Sequence, residues 1–138
     1  MGYGGYLIKI GEYTVPFEYI LSSTYSPNIK GQDLDSYTDE NGQLHRNALK
    51  NKVIKIEWET PSMDESKLRK FADRLLEEYI HQDEKKCLVT AYMPELGKYV
   101  TMSCYVPDIE FKVSYADEKT IEYDSFRIAF IGYGGDIA

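Results

Sequence analysis

The chain holds few residues whose types and spacing support catalysis. The two histidines are His45, in a polar stretch, and His81, at a predicted helix end where an imidazole suits the helix dipole. Neither lies in a Gly-x-Ser-x-Gly or similar nucleophile motif. Acid pairs occur at residues 57/59 and 77/78, but periodicity places them on solvated faces, whereas general acid–base chemistry favours a partly buried acid. We therefore expect no catalytic residues and no enzyme activity.

Metal and cofactor motifs are equally scarce. One polar stretch contains the carboxylates Asp33, Asp35, Asp39 and Glu40. No register of these acids supplies the ligand spacing of an EF-hand loop. Cys87 and Cys104 fall in predicted strands without a CxxC partner or a nearby histidine, which favours reduced, buried thiols. No glycine cluster follows a strand and opens a helix, so a phosphate cradle is not indicated. We expect no metal and no cofactor.

Composition and charge limit the classes of partner that this protein is expected to bind. The 138 residues predict one β-rich domain over 1–138, and 13 tyrosines suit half-buried strands and protein interfaces. Net charge is −7, and residues 87–138 hold 4 basic and 8 acidic groups. The only cluster of Lys and Arg lies on the solvated side of the predicted helix, where acids interleave, so direct sequence-specific binding of nucleic acid is not expected. No apolar run reaches the ~20 residues of a membrane span, and no export signal is evident, so we expect folding in the cytoplasm.

One segment, residues 62–80, is predicted to be an amphipathic helix. Ser62 and Glu65 form an S-x-x-E capping box after Pro61. The predicted apolar stripe consists of Leu68, Phe71, Ala72, Leu75, Leu76, Tyr79 and Ile80. Charged residues fill the other positions, with Glu65 four residues before Arg69. Such a helix buries one face, and we expect it to pack across a sheet.

The remaining segments alternate as strands or hairpins. Strands are predicted at residues 6–10, 13–15, 53–60, 87–93, 98–105, 108–115 and 120–133, with a weaker one at 17–25. Strand 98–105 has a Tyr/Thr/Ser face that suits coverage by a partner. Strand 108–115 has an apolar face formed by Ile109, Phe111, Val113 and Tyr115. A one-residue change of phase predicts a β-bulge near Asp124 and Ser125.

Residues 26–52 are predicted to be a long polar loop with an Asn41-Gly42 hairpin turn. Scattered apolar residues, among them Leu34 and Leu49, suit packing on a neighbour better than packing on the chain's own body. Two interpretations stay open: a mobile surface loop, or an ordered contact between subunits. The glycine-rich ends at residues 2–5 and 132–135 are expected to be flexible arms.

The order of segments resembles small uncharacterised proteins of phage and prophage tail-module operons in Gram-positive bacteria. The resemblance spans about residues 6–131 and rests on the stretches GQDLDS at 31–36 and NGQLHR at 41–46, followed by the Pro61-Ser62 helix start. The layout is also similar to the phage tail-tube fold. That likeness implies an α+β, mostly antiparallel fold: a β-sandwich or half-barrel with one flanking helix.

Members of the tail-tube group form rings, usually hexamers, that stack into a DNA conduit. The resemblance therefore implies a virion protein of a phage tail that assembles with itself in the host cytoplasm and meets tape-measure or tail-tip proteins. Acidic C-terminal strands would line the conduit, and edge strands would pair between subunits. The predicted loop contacts are Leu34, Tyr37, Leu44 and Arg46.

Two other classes of function remain. A tail-tip or head–tail adaptor would share the fold but form one ring without stacking. A cytosolic β-sandwich that binds a peptide or small ligand would stay monomeric at every concentration.

Overall fold

The computed structural model describes residues 2–33, 37–38, 44–45 and 48–134, and within 31–52 it describes the backbone alone. The strands are β1 Ile8–Ile10, β2 Tyr13–Thr14, β3 Ser26–Asp33, β4 Tyr37–Thr38, β5 Leu44–His45, β6 Ala48–Glu59, β7 Met63–Asp64, β8 Lys86–Met93, β9 Lys98–Tyr105, β10 Val113–Ala116, β11 Ile121–Tyr123 and β12 Arg127–Gly132. The helix α1 is Glu65–Glu78. The strand pairings among these residues are antiparallel, which confirms the predicted α+β fold with one flanking helix.

Seven strands form the main sheet in the order β2-β1-β8-β9-β12-β6-β3. Alternation decides which side chains enter the core: Ile54, Ile56 and Trp58 are buried, as predicted, while Glu57 and Glu59 point to the other face. Every inward position of β8 and of β9 from Val100 onward is likewise buried. The main sheet therefore has one core face and one outer face.

Helix α1 covers the core face with Leu68, Phe71 and Leu75, which join the same buried cluster as the sheet residues. The start of the helix differs from the sequence prediction. Asp64 is the N-cap, and its carboxylate accepts a hydrogen bond from the Lys67 N–H at 2.9 Å. The predicted capping box starting at Ser62 is therefore wrong, because residues 63–64 are already committed to strand β7.

The end of the apolar stripe also differs from the prediction. Leu76 is 47% exposed and Ile80 is 58% exposed. The helix ends at Glu78, and Tyr79 has extended backbone, so Tyr79 and Ile80 lie beyond the regular helix, whereas Leu76 lies within it at an exposed position. Glu78 instead fixes the β1–β2 turn, since its carboxylate accepts the Glu12 N–H at 3.0 Å.

A smaller sheet has the order β10-β11-β7. Two of the segments that pass between the two sheets, residues 60–62 and 124–126, are bonded to each other. The Thr60 N–H donates to the Phe126 carbonyl at 2.9 Å, and the Phe126 N–H donates to the Thr60 hydroxyl at 3.2 Å. We call this pair of bonds the Thr60–Phe126 crossing. The predicted bulge at Asp124 and Ser125 is wrong, because the change of phase marks a change of sheet.

Two further predictions need correction. Residues 17–25 form two 3-10 helices, Phe17–Tyr19 and Ser22–Thr24, rather than a strand. Residues 26–33 and 48–52, expected within a long loop, lie in β3 and β6, which pair directly from Ser26↔Glu57 to Asp33↔Ala48. The polar composition of β3 reflects its place at the edge of the sheet. The single-domain organisation and the flexible terminal arms remain predictions.

The two cysteines face each other in the core. Cys87 and Cys104 are register partners across β8 and β9, and both are buried with free thiols. Burial raises the pKa of Cys87 to about 12 and raises that of Cys104 as well.

Candidate assembly surfaces

The outer face of the β8–β9 hairpin carries the predicted Tyr/Thr/Ser surface. Its register pairs are Tyr92↔Tyr99, Thr90↔Thr101, Leu88↔Ser103 and Lys86↔Tyr105. Thr101 is exposed and Leu88 is 43% exposed, although Leu88 is apolar. The middle of this hairpin is therefore accessible, while both of its ends are partly covered by the chain itself.

The N-terminal segment covers the turn end. The Tyr6 ring stacks on the Tyr99 ring with centroids 4.5 Å apart, and the Tyr3 ring meets the Tyr92 ring edge-on at 5.6 Å. The Gly4 N–H donates to the Tyr99 hydroxyl, which donates to the Tyr6 carbonyl, both at 2.7 Å. These hydrogen bonds orient Tyr99 and occupy its hydroxyl within the chain.

The C-terminal segment covers the opposite end. The Tyr133 N–H donates to the Ser103 carbonyl at 2.9 Å, which continues the β12–β9 pairing. The Tyr133 ring packs against Tyr105 with centroids 5.5 Å apart, and the Lys86 ammonium lies 5.1 Å from the centroid of the Tyr133 ring. A neighbour reaching this end would therefore meet an aromatic pair beside a cation.

One cross-strand row joins this end to the rest of the outer face. Register places Lys86, Tyr105, Ile131 and Lys55 side by side on β8, β9, β12 and β6. All four side chains are partly exposed. The row, which we call the lysine-flanked row, has an aromatic and an aliphatic residue at its centre and a lysine at each side. Strand spacing makes it about 14 Å wide.

Basic residues outnumber acidic ones on the outer face. Among the described side chains, the outward charged residues are Lys9, Lys30, Lys55, Lys86, Arg127, Glu57 and Glu59. The Arg127 guanidinium forms an ion pair with Glu57 and lowers the pKa of that carboxyl, helped by Lys55 and Lys30. This face is therefore net positive in a chain of net charge −7.

The segment from residue 107 to residue 124 is the most exposed part of the described chain. Phe111, Val113 and Tyr115 are 46%, 53% and 52% exposed. The predicted strand 108–115 is therefore shorter than expected, since β10 begins at Val113, and three residues of its predicted apolar face are exposed, while Ile109 packs partly against the core. Val113 and Tyr115 lie on β10, an edge strand of the small sheet, whereas Phe111 precedes that strand and packs one side of its ring against Phe126, with centroids 4.9 Å apart.

Residues 107–124 also hold much of the acidity of the C-terminal third. The charged residues are Asp108, Glu110, Lys112, Asp117, Glu118, Lys119, Glu122 and Asp124. Of these only Glu122 lies within a strand, and β12 carries a single charged residue, Arg127. The expectation of acidic C-terminal strands is thus wrong: the acids belong to the connecting segments.

The tip of this hairpin is firmly bonded. The Asp117 carboxylate accepts hydrogen bonds from the Tyr115 hydroxyl at 2.7 Å and from the N–H groups of Lys119 and Thr120 at 2.9 and 2.8 Å. These bonds, led by the one from Tyr115, lower the pKa of Asp117 to about 2. The β10–β11 turn is therefore an ordered protrusion held by its own side chains.

The described residues do not bring the four predicted loop contacts together in one site. Leu34 and Arg46 lie outside the described residues. Tyr37 and Leu44 lie in the strand pair β4–β5, in which Tyr37 pairs with His45 and Thr38 with Leu44, and their side chains lie outside the described part. The Asn41-Gly42 turn also lies outside it. Sequence reasoning missed the exposure of the 107–124 segment. The mixture of acidic and apolar residues in this segment was a signal of that exposure.

The cavities of the described residues are open surface features. One of them has a volume of about 430 Å³ and is lined by Asp64, Glu65, Ser66 and residues 117–121, where α1 meets the β10–β11 turn. Within the described ranges no group of three or more His, Cys, Asp or Glu side chains is placed to hold a metal ion. None of the described helices has the length and apolar character needed to cross a bilayer.

Comparison with known proteins gives a family and a fold. The model of a family of unknown function, DUF6711, matches residues 1–133. No curated protein matches the sequence. Two solved structures share the fold at 12% sequence identity and a TM-score of 0.57. The first is a chain in the tail of an empty gene transfer agent (GTA) particle, a structure computed with helical refinement and C6 symmetry. The match covers 99% of this chain and 98% of that chain.

The second structure is a chain in the virion of a native gene transfer agent particle, and the match covers 99% of both chains. Both matches include the small sheet and the helix as well as the main sheet, because nearly the whole chain is aligned. Neither structure bears on a Gram-positive host.

Proposed function

This chain belongs to DUF6711, a family of unknown function, and we propose that it is a structural subunit of a phage-type tail. The observation that carries the proposal is the shared fold over 99% of the chain with a protein of a C6-symmetric particle tail. In this proposal the subunits close into rings, six to a ring, around a DNA conduit in the virion. Its partners are further copies of itself and other tail proteins, such as tape-measure or tail-tip proteins.

The surface of the described residues supports a role in assembly. Large apolar side chains are exposed on the 107–124 segment and on the outer face, and such patches mark interaction sites more often than random surface. Edge strands β2, β3 and β10 each present one unpaired side to a neighbouring chain. A subunit of a ring needs two different contact surfaces, and the acidic segment and the basic outer face are two such surfaces.

The first test is electron microscopy in negative stain, with light scattering on the same sample at increasing concentration. Rings with a central channel support the proposal, and stacked rings identify a tube subunit. Single rings that never stack indicate a tail-tip or head–tail adaptor instead. A protein that stays monomeric throughout, alone and with the other proteins of its tail operon, overturns the structural role and favours a ligand-binding module.

A second test addresses Leu34, Tyr37, Leu44 and Arg46 as contacts between subunits. The register Asp33↔Ala48 lets residues 34–47 be replaced by an Asn-Gly turn without disturbing the pairing of β3 with β6. If the loop carries assembly, this shortened protein should fold and remain monomeric. The matched variant changes only the four named residues to alanine. Rings formed by the shortened protein would show that the loop is not the assembly element.

A further inference from the structure

Resting on the proposed function, we propose that the 107–124 segment of one subunit docks on the outer face of the main sheet of a neighbouring copy, centred on the lysine-flanked row. The row consists of Lys86, Tyr105, Ile131 and Lys55. The occupant is a second copy of this chain, and the contact is heterologous, so it repeats from subunit to subunit around a ring.

Opposite charge on the two surfaces supports this choice of occupant. Residues 107–124 contain six acidic and two basic residues, whereas the outward positions of the main sheet with described side chains contain five basic and two acidic residues. Two copies brought together in this way place unlike charges against each other, which favours encounter and fixes orientation. Docking either surface on its own equivalent would place like charges together.

The apolar residues match in the same arrangement. On the donor segment, Val113 and Tyr115 are about half exposed, and Glu122 is the register partner of Tyr115. On the acceptor face, the centre of the row is aromatic and aliphatic, with the exposed Leu88 two residues along β8 from Lys86. Both surfaces thus have an apolar centre beside charge, the pattern of an interface core with a polar rim.

Rigidity of the donor also favours this contact. Asp117 holds the β10–β11 turn through four hydrogen bonds, and the Thr60–Phe126 crossing joins the small sheet to the main sheet. A preformed protrusion loses little conformational freedom when it binds. The segment is therefore suited to bind the neighbouring copy in the conformation that it already has.

Charge exchange tests the contact directly. The donor variant is Glu118→Lys with Glu122→Lys, and the acceptor variant is Lys55→Glu with Lys86→Glu. In each variant alone, like charges face each other at every contact between copies. We therefore expect its self-association to weaken by about tenfold or more. A one-to-one mixture should assemble again, because each variant's donor then meets an acceptor of opposite sign. Added salt should weaken assembly of the wild type and of the mixture.

The matched control for the donor variant is Asp73→Lys with Glu77→Lys, which makes the same change in net charge at exposed positions of α1, on the opposite side of the main sheet from the outer face. It should assemble as the wild type does. A photo-crosslinking residue at Val113 gives a second measurement that does not depend on charge. Crosslinks between copies should map to β8, β9, β12 or β6.

The outcomes separate the two proposals. If the wild type forms rings but the donor and acceptor variants do so equally well, or if the Val113 crosslinks map elsewhere, the docking contact is overturned and the structural role stands. If the wild type never assembles, alone or with the other proteins of its tail, both fail. Weak association of each variant with recovery in the mixture confirms the contact.

Discussion

The indole N–H of Trp58 donates a 3.0 Å hydrogen bond to the backbone carbonyl of Tyr19. Trp58 is 1% exposed, and its ring stacks on Phe130 in the neighbouring strand. The bond therefore ties the middle of the main sheet to the first 3-10 helix, whose Tyr19 ring in turn stacks on Phe71 of α1. One side chain connects three elements of the core.

Replacing Trp58 with Phe should keep the stacking and lose this bond. The Tyr19 carbonyl would then be buried without its donor, so we expect a loss of about 1–3 kcal/mol in the free energy of unfolding. Trp58→Ala should cost about 3–5 kcal/mol because it also leaves a cavity. Urea unfolding followed by circular dichroism measures both. Equal stability of Trp58→Phe and wild type would show that the bond contributes nothing.

Two neighbouring substitutions distinguish the observed helix cap from the one that the sequence suggests. Asp64→Ala removes the side chain that accepts the Lys67 N–H and should destabilise the protein by about 1 kcal/mol. Ser62→Ala should change stability by less than about 0.5 kcal/mol, since Ser62 does not cap the helix. Thermal unfolding of the two variants side by side is the measurement. A larger loss for Ser62→Ala would contradict the observed cap.

Gly132 lies where strand β12 passes close to β6 and β9. A methyl group at this position would meet the Met102 sulfur and would lie 3.2 Å from the Ile54 backbone nitrogen. The side chain of Met102 can move, but the backbone of Ile54 cannot easily do so, and we expect Gly132→Ala to cost about 1–3 kcal/mol. Gly2→Ala is the control, because nothing lies within 4 Å of the added methyl there. Chemical unfolding of both variants checks the difference.

The Asp117 carboxyl should titrate with a pKa of about 2 in the folded protein. Because this value lies below the ordinary one of 3.8, ionised Asp117 stabilises the β10–β11 turn above about pH 4, and that contribution is lost as the pH falls towards 2. Tyr115→Phe removes the hydroxyl that contributes most to the shift and should raise the pKa of Asp117. Carboxyl-carbon NMR titration measures it. Tyr133→Phe, on the other face, should leave the Asp117 titration unchanged.

Periodicity predicted the elements whose burial follows from local sequence alone. The alternation of Ile54, Ile56 and Trp58 and the helical spacing of Leu68, Phe71 and Leu75 both report a single buried face, and the structure confirms each. The β8–β9 hairpin was predictable for the same reason, with a short turn that ends at Gly97 in the left-handed region.

Long-range pairing explains most of the errors. Residues 63–64 pair with β11, more than fifty residues away, and this removes Ser62 from the helix start. Strand β3 is polar because it pairs on one side only, so its composition resembles that of a loop. Val113 and Tyr115 alternate like core residues, yet nothing in the local pattern tells an exposed edge strand from a buried one.

The Thr60–Phe126 crossing has a mechanical consequence. Two of the segments that link the sheets are joined by Thr60 and Phe126, which bond to each other in both directions, so moving one segment relative to the other breaks a buried hydrogen bond. The joint thus acts as a clamp and not as a hinge. A force applied to the small sheet is therefore passed to the main sheet through this pair of bonds.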